Sequence, residues 1–362
     1  MYLKELYVDN FRNLIKQKIE FSEGINILYG LNAQGKSNLL ESIRILTIGK
    51  SFRNSKNNEL INFGKDYFYI KALLEHEQEE KKIEIGYKKN ENKILKVNGN
   101  KLKTYTELLG IVLTVIFSPE DLKIVKEGPM VRRRYIDSCI SIIRKSYLYN
   151  LIQYNKILNN RNKFLKDMKN SSVDYEMIDV FDEQLSDYGS KIISMRKKYL
   201  KNLETYAKKI ISDISKEDIK IEYITNINNK TDVVEEIKLI FLDLLKKDRE
   251  LDLKYLTTKT GPHRDDIKFY INGKDSRMYC SQGQQRTIAL CLKLSEFEII
   301  KKETDIKPML LLDDVMSELD INRQTYILKR LNGVQTFITH INKQDLKGDK
   351  YFKIENGVVI SD

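Results

Sequence analysis

Tyr29-Gly30-Leu31-Asn32-Ala33-Gln34-Gly35-Lys36-Ser37 places Gly30 and the Gly35-Lys36-Ser37 triplet at G-x-x-x-x-G-K-[ST] spacing. Its flanks fit. Ile25 to Tyr29 is a short β-prone run, and Asn38 to Leu46 repeats Leu39, Leu40, Ile43 and Leu46 at helical spacing. A strand that feeds a glycine loop and then a helix aims backbone N–H groups, and the positive end of the helix dipole, at an anion. Gly30, Leu31, Asn32, Ala33, Gln34, Gly35, Lys36 and Ser37 are therefore expected to cradle the phosphates of ATP. Lys36 would reach the β- and γ-phosphates, and the Ser37 hydroxyl would coordinate Mg²⁺.

A second element of such a site lies far along the chain. Met309-Leu310-Leu311-Leu312 reads as a buried strand that ends in Asp313-Asp314, at the carboxyl edge where open α/β sheets bind ligands. Asp313 is expected to hold Mg²⁺, and Asp314 to orient or deprotonate the attacking water. Ser317-Glu318-Leu319-Asp320 follows, then a helix, then a strand from Gln335 to Thr339 that ends at His340. Ahead of the acidic strand, Ser281-Gln282-Gly283-Gln284-Gln285-Arg286 precedes a helix that Ser281 can cap.

The segments between these motifs differ in character. Leu3, Leu6 and Val8, then Ile15, Ile19 and Phe21, suggest two strands around a turn. Tyr67 to Leu74, Lys82 to Tyr87 and Lys93 to Lys101 suggest more, with Asn98-Gly99 as a hairpin turn. Ile111 to Phe117 reads as a buried strand. Between Val131 and Thr260 there is no proline, and Gly189 is the only glycine, so long helices are expected. Leu151, Tyr154, Leu158 and Leu165 share one face; Ile192, Met195, Tyr199, Tyr206 and Ile210 share another. Asn170-Ser171-Ser172 reads as a loop between two helices, and Asn272-Gly273 signals another hairpin. The expected architecture is an α/β ATPase lobe from residues 1–122 and 256–362, with a helical lobe, 123–255, inserted.

Charge concentrates in the helical block. The 362 residues carry a formal charge of +11, and residues 131–216 hold 18 Lys and Arg against 10 Asp and Glu. That balance favours an anionic partner, and Arg132, Arg133 and Arg134 are the densest cluster. Cys139, Cys280 and Cys291 have neither metal spacing nor a paired pattern, which favours a reducing cytosol. No apolar run approaches the ~18 residues of a membrane span.

The order of phosphate loop, S-x-G-Q motif, acidic strand, S-x-L-D loop and histidine is similar to that of ATP-binding-cassette ATPases. A closer resemblance rests on Asn32 to Glu41, Gly49-Lys50-Ser51-Phe52-Arg53, Phe117-Ser118-Pro119-Glu120-Asp121-Leu122, Gly128-Pro129 with Arg132-Arg133-Arg134, Gly261-Pro262-His263-Arg264-Asp265-Asp266 and Ser281 to Arg286. Together these resemble the RecF family of bacterial recombination-mediator ATPases, related to the heads of SMC proteins, over about residues 2–340. The resemblance implies an ABC-type P-loop head, a mixed sheet with an antiparallel β subdomain, and an inserted α-helical lobe. It implies an ATP-dependent homodimer in which Ser281, Gly283 and Gln284 of one subunit close over the γ-phosphate held by another. It further implies adenine and ribose contacts from Arg12 and Asn13, a switch role for His340, and DNA bound at gaps and single-strand/double-strand junctions in concert with RecO and RecR. Asp314 stands where transport-type cassettes usually carry Glu, and that shorter side chain suggests slow hydrolysis. A transporter's energising subunit, a nuclease related to cassette-type ATPases and an ATP-binding scaffold without turnover are the competing readings.

Overall fold

The computed structural model describes residues 1–49, 55–77, 79–168, 174–227, 231–330 and 332–362. The expected loop Asn170-Ser171-Ser172 and all but Gly49 of the expected basic loop Gly49-Lys50-Ser51-Phe52-Arg53 lie outside the described residues. The chain forms two compact units, Met1–Asp121 with Glu296–Asp362, and Leu122–Ser295.

In chain order the first unit opens with β1 (Tyr2–Asp9), β2 (Gln17–Glu20), β3 (Ile25–Tyr29), α1 (Lys36–Ile48), β4 (Tyr67–His76), β5 (Glu79–Lys88), β6 (Ile94–Val97), β7 (Asn100–Lys101) and β8 (Thr114–Phe117). The second contains α2 (Leu122–Lys126), α3 (Pro129–Ile143), α4 (Lys145–Asp167), α5 (Tyr175–Ser215), β9 (Ile219–Ile224), α6 (Val234–Lys247), α7 (Arg249–Tyr255), β10 (Asp266–Ile271), β11 (Lys274–Asp275), α8 (Ser276–Tyr279) and the start of α9 (Gln282–Thr304). The chain then completes the first unit with β12 (Met309–Leu312), α10 (Ile321–Arg330), β13 (Thr336–His340), β14 (Lys350–Glu355) and β15 (Val358–Ser361).

The first unit holds two sheets. One is antiparallel, in the order β2-β1-β4-β5-β6-β7; the other is mixed, in the order β15-β14-β3-β13-β12-β8. Among the described strands of the second sheet, β15 alone runs against the others, pairing antiparallel with β14. Leu6 and Val8 of β1, Leu39 and Ile43 of α1, and Leu311 and Phe337 of the mixed sheet join one buried apolar cluster. Gln335 links the two sheets as well, exchanging hydrogen bonds with both the N–H and the C=O of Leu3 at 2.6 and 2.8 Å. Register puts the site at one edge: Tyr29 pairs with His340, Leu312 with Ile338 and Leu312 with Phe117. The phosphate loop, Asp313 and His340 thus leave neighbouring strands at the same carboxyl end.

Three expectations need correction. The Ile111 to Phe117 run becomes a strand only from Thr114, because Leu109 to Val112 closes on itself through an isolated bridge. The helical block contains a strand, β9, which the lack of breakers concealed; α5 stops at Lys216 in a left-handed conformation without a glycine. Because β9 pairs with β10 across Ile219–Ile271 to Ile224–Asp266, the inserted unit runs on to Ser295 instead of stopping at 255.

The second unit is held by a buried charged network as well as by apolar helix faces. Arg161, fully buried, pairs with Asp182 at 2.8 Å and Asp252 at 2.6 Å. Arg196 pairs with Asp137 at 2.8 Å and donates to Pro262 O at 2.7 Å. Buried ions are tolerable only when paired and hydrogen-bonded in this way. Gly189 is the one glycine in the helical block for a packing reason: a Cβ there would sit 2.5 Å from the Phe241 ring and 3.2 Å from Tyr154. His263, Arg264 and Asp265 belong to the same network: His263 bonds Tyr154 Oη at 2.7 Å, Arg264 donates to Thr258 O at 3.0 Å, and Tyr223 donates to Asp265.

Candidate functional site

The phosphate loop owes its shape to two neighbours. Gly30 has φ of +146°, and a Cβ there would lie 2.3 Å from Ile354 O of β14, so only glycine lets the adjacent strand approach. Gln34 is tied at both ends of its residue. Its carbonyl accepts from Asn13 Nδ2 and Gly357 N, both at 2.9 Å, and its side-chain oxygen accepts from Asn356 N at 2.6 Å. Asn13 also accepts from Asn38 Nδ2 at 2.9 Å. The β14–β15 hairpin turn therefore braces the loop from one side and the β1–β2 turn from the other. Beside it opens a cleft of about 700 Å³ lined by Tyr29, Leu31, Gln34, Lys343, Lys353 and Asn356, among others.

The reactive side chains converge at the strand edge. Lys36 is 4% exposed, and its Nζ donates to Gly30 O at 2.7 Å and Leu31 O at 2.9 Å. Burial pushes its pKa down, and the carboxylates of Asp314 and Asp313 oppose that shift. Ser37 Oγ donates to Asp313 Oδ1 at 2.7 Å. Thr339 joins the two carboxylates: its hydroxyl lies 3.1 Å from Asp313 Oδ1 and 3.4 Å from Asp314 Oδ1, and it accepts from Asp314 N at 2.7 Å. That bond holds Asp314 in a left-handed backbone conformation, φ +53°, one that Asp tolerates better than most residues. His340 lies at the end of β13, its Nδ1 3.3 Å from Asn342 N and 3.4 Å from Asp345 Oδ2.

Arg12 sits apart from this cluster. Its guanidinium grips buried Glu41 at 3.0 and 3.2 Å, Ser55 Oγ at 2.6 Å and Glu59 O at 2.9 Å. Arg12 and Asn13, expected at the adenine and ribose, are thus engaged as braces of α1 and of the loop. In the second unit, Ser281 and Gln284 form a reciprocal cap at the start of α9, Gln284 Oε1 accepting from Ser281 N at 3.0 Å and Ser281 Oγ from Gln284 N at 3.2 Å. Ser281 and Gly283 are exposed there, and beyond Ser281 Oγ at 3.9 Å a Cβ on Gly283 would meet nothing.

The arginine cluster departs from expectation. Arg132 is 5% exposed and bidentate on Asp266 at 2.7 and 2.9 Å, and Arg133 donates to Asp265 O. Both guanidinium groups are thereby turned into the unit, and of the three only Arg134 is exposed.

The RecF/RecN/SMC N-terminal domain family model matches residues 2–356. Over the whole of both chains, the sequence is 64% identical to the DNA replication and repair protein RecF of a Thermoanaerobacter species. The chain belongs to the RecF family. The RecF of Clostridium acetobutylicum is 47% identical over 99% of each chain. A solved structure described as the recombination mediator protein RecF-ATP in the RecFOR pathway is 56% identical, covers 99% of this chain with 97% of its own, and superposes with a TM-score of 0.96. The Smc head domain of Pyrococcus furiosus, at 16% identity and a TM-score of 0.58 over 99% of this chain and 96% of its own, shares the fold. Family membership accounts for the ABC-type head, with its antiparallel subdomain, mixed sheet and inserted lobe. Two positions that shape the candidate site carry no motif of their own. Thr339 appeared only as the end of a strand, and the Asn356-Gly357 turn lies beyond the region of resemblance. An Asn-Gly pair between two alternating apolar runs was the available signal for the second.

Proposed function

We propose that this chain is an ATP-gated DNA-binding switch of recombinational repair and replication-fork maintenance, working with RecO and RecR at gaps and single-strand/double-strand junctions. The observation that carries the nucleotide half of this reading is the 2.7 Å contact between Ser37 Oγ and Asp313 at the mouth of the loop, beside buried Lys36; membership of the RecF family supports the other half. A hydroxyl and a carboxylate are hard oxygen donors suited to Mg²⁺, which Ser37 and Asp313 would hold. When bound, the ion neutralises charge on the β- and γ-phosphates. Lys36 would leave the Gly30 and Leu31 carbonyls for the phosphates, whose negative charge opposes the downward shift that burial imposes. Asp314, with its backbone fixed by Thr339, accepts a hydrogen bond from the attacking water. His340 Nδ1 is taken up by the Asn342 backbone, 3.1 Å from its O and 3.3 Å from its N, so its Nε2 is the nitrogen available to a γ-phosphate. Asp314 is one methylene shorter than Glu, which favours slow turnover and a switch in which binding does the mechanical work.

Ser281 and Gly283 complete the site in trans, capping the γ-phosphate of a second copy with the N-terminus of α9. ADP lacks that phosphate, so ATP favours the dimer through its differential contacts alone. Analytical ultracentrifugation with ATP, ADP or no nucleotide tests this. Wild type should dimerise with ATP only, and Ser281→Arg should bind ATP yet stay monomeric. A wild type that remains monomeric with ATP would rule the proposal out.

A further inference from the structure

The solvent face of α4 carries a charge pattern that no mechanism above uses. From Lys145 to Lys166 the helix contains no Asp or Glu; Asp167 closes it. Its inner side buries Tyr147, Tyr154, Leu158 and Leu165, together with Arg161, whose charge is met by Asp182 and Asp252. Its outer side exposes Lys145, Tyr149, Ile152, Lys156, Asn160 and Lys163. Successive members of that row are three or four residues apart, so they line one stripe of the helix. At ~1.5 Å per residue the stripe is about 27 Å long.

Several lysines of the neighbouring helices are neutralised, whereas Lys198, Lys201 and Lys209 of α5, like those of α4, make no ion pair with any described residue. On α5 and α6, Lys191 and Lys238 meet Asp187, Lys208 meets Glu204, and Lys247 meets Asp243. Lys145, Lys156 and Lys163 make no ion pair with any described residue. Tyr149, 56% exposed, is held edge-on against Tyr188 of α5 at 6.3 Å, where Lys191 lies 5.5 Å over the Tyr188 ring. The nearest carboxylate in sequence to Tyr188, Asp187, is already neutralised by its two lysines.

We propose that the outer face of α4 is a binding surface for the phosphate backbone of duplex DNA. The inference rests on the reading of this chain as a DNA-binding protein and locates the contact. Duplex DNA presents one negative charge per ~1.7 Å of axis, so a row of about 27 Å runs past about eight base pairs of backbone charge, whatever the sequence. Asn159, Asn160 and Tyr149 add uncharged hydrogen-bonding groups to the same face. The contact is sequence-independent, because phosphates position a protein without identifying bases.

The test is fluorescence anisotropy of the full chain with ATP on a labelled duplex and on a single strand of the same length, from about 50 to about 200 mM salt. Three proteins are compared: wild type, Lys145→Gln/Lys156→Gln/Lys163→Gln, and a control with the same charge change on α5, Lys198→Gln/Lys201→Gln/Lys209→Gln. Each lost phosphate contact lowers the slope of log affinity against log salt by ~0.9 on duplex DNA. The α4 variant should therefore lose ~2.7 from the slope, so that wild-type affinity falls about 40-fold more across that range than the variant's. Its ATP affinity should equal that of wild type, and the α5 control should keep the wild-type slope. Equal slopes for wild type and the α4 variant, equal losses in both variants, or a loss confined to single strands would each overturn the assignment. Duplex binding that ignores ATP would instead overturn the gating in the proposed function, and the slopes would still decide the surface.

Discussion

His263 should remain neutral far below the pH at which a histidine ordinarily protonates. Its Nε2 lies 3.1 Å from Thr258 O and must donate there, so Nδ1, at 2.7 Å, accepts from Tyr154 Oη. Both positions of the neutral ring are satisfied, and protonating Nδ1 would set two donors against each other. Burial, with further help from Arg264, Arg133 and Arg196, lowers the pKa from 6.5 to about 4. The unfolded chain therefore takes up this proton first as pH falls. The stabilising contribution is complete above the unfolded value near 6.5 and is lost progressively down to about 4. Between about pH 7 and about pH 5 the loss is about 2 kcal/mol, at ~1.36 kcal/mol per pKa unit. The chain has three histidines, His76, His263 and His340, so ring-resolved NMR can assign each one with a His263→Gln variant. Urea unfolding of wild type should lose about 2 kcal/mol more than the variant over the same interval. A His263 ring that protonates above about pH 6, or equal acid losses in the two proteins, would refute the reasoning.

Lys36→Ala should weaken ATP binding by on the order of 3 kcal/mol, more than a hundredfold by calorimetry, because buried phosphate charge loses its nearest cation. Gly30→Ala should cost about 2–4 kcal/mol, since the methyl would lie 2.3 Å from Ile354 O in a backbone conformation of φ +146°. Gly64→Ala, at φ +76° but with nothing within 4 Å, should cost only about 1 kcal/mol. Equal melting-temperature losses in the two glycine variants would show that the approach of β14 does not constrain the loop.

What the sequence disclosed was local. The glycine spacing before α1, the carboxylates after four apolar residues and the Asn98-Gly99 and Asn272-Gly273 turns are each decided within a few residues, and each has the expected geometry. What it hid depended on partners far along the chain. Arg132 looked like a surface cation because its carboxylate, Asp266, lies 134 residues away. Arg12 looked available for a ligand because Glu41 is a neighbour only after α1 has packed. Lys156 and Lys163, scattered among asparagines, were less conspicuous than three consecutive arginines, yet both face water, as only Arg134 of the three arginines does. Local density of charge is visible in a string of letters; which charges are already neutralised is not.

The brace on Gln34 also fixes when the site can exist. The loop is translated early, but the Asn356 N–H that holds it arrives 322 residues later. A nascent chain therefore carries the complete G-x-x-x-x-G-K-S spelling long before it carries the strand and turn that give the loop its shape. Closure over so long a separation is slow compared with helix formation. A fragment cut between α1 and β14 would retain every residue of the motif and the Asn13 contact, and lack the half of its support that comes from Asn356 and Gly357. Nucleotide binding by the complete loop therefore requires that both ends of the chain have met.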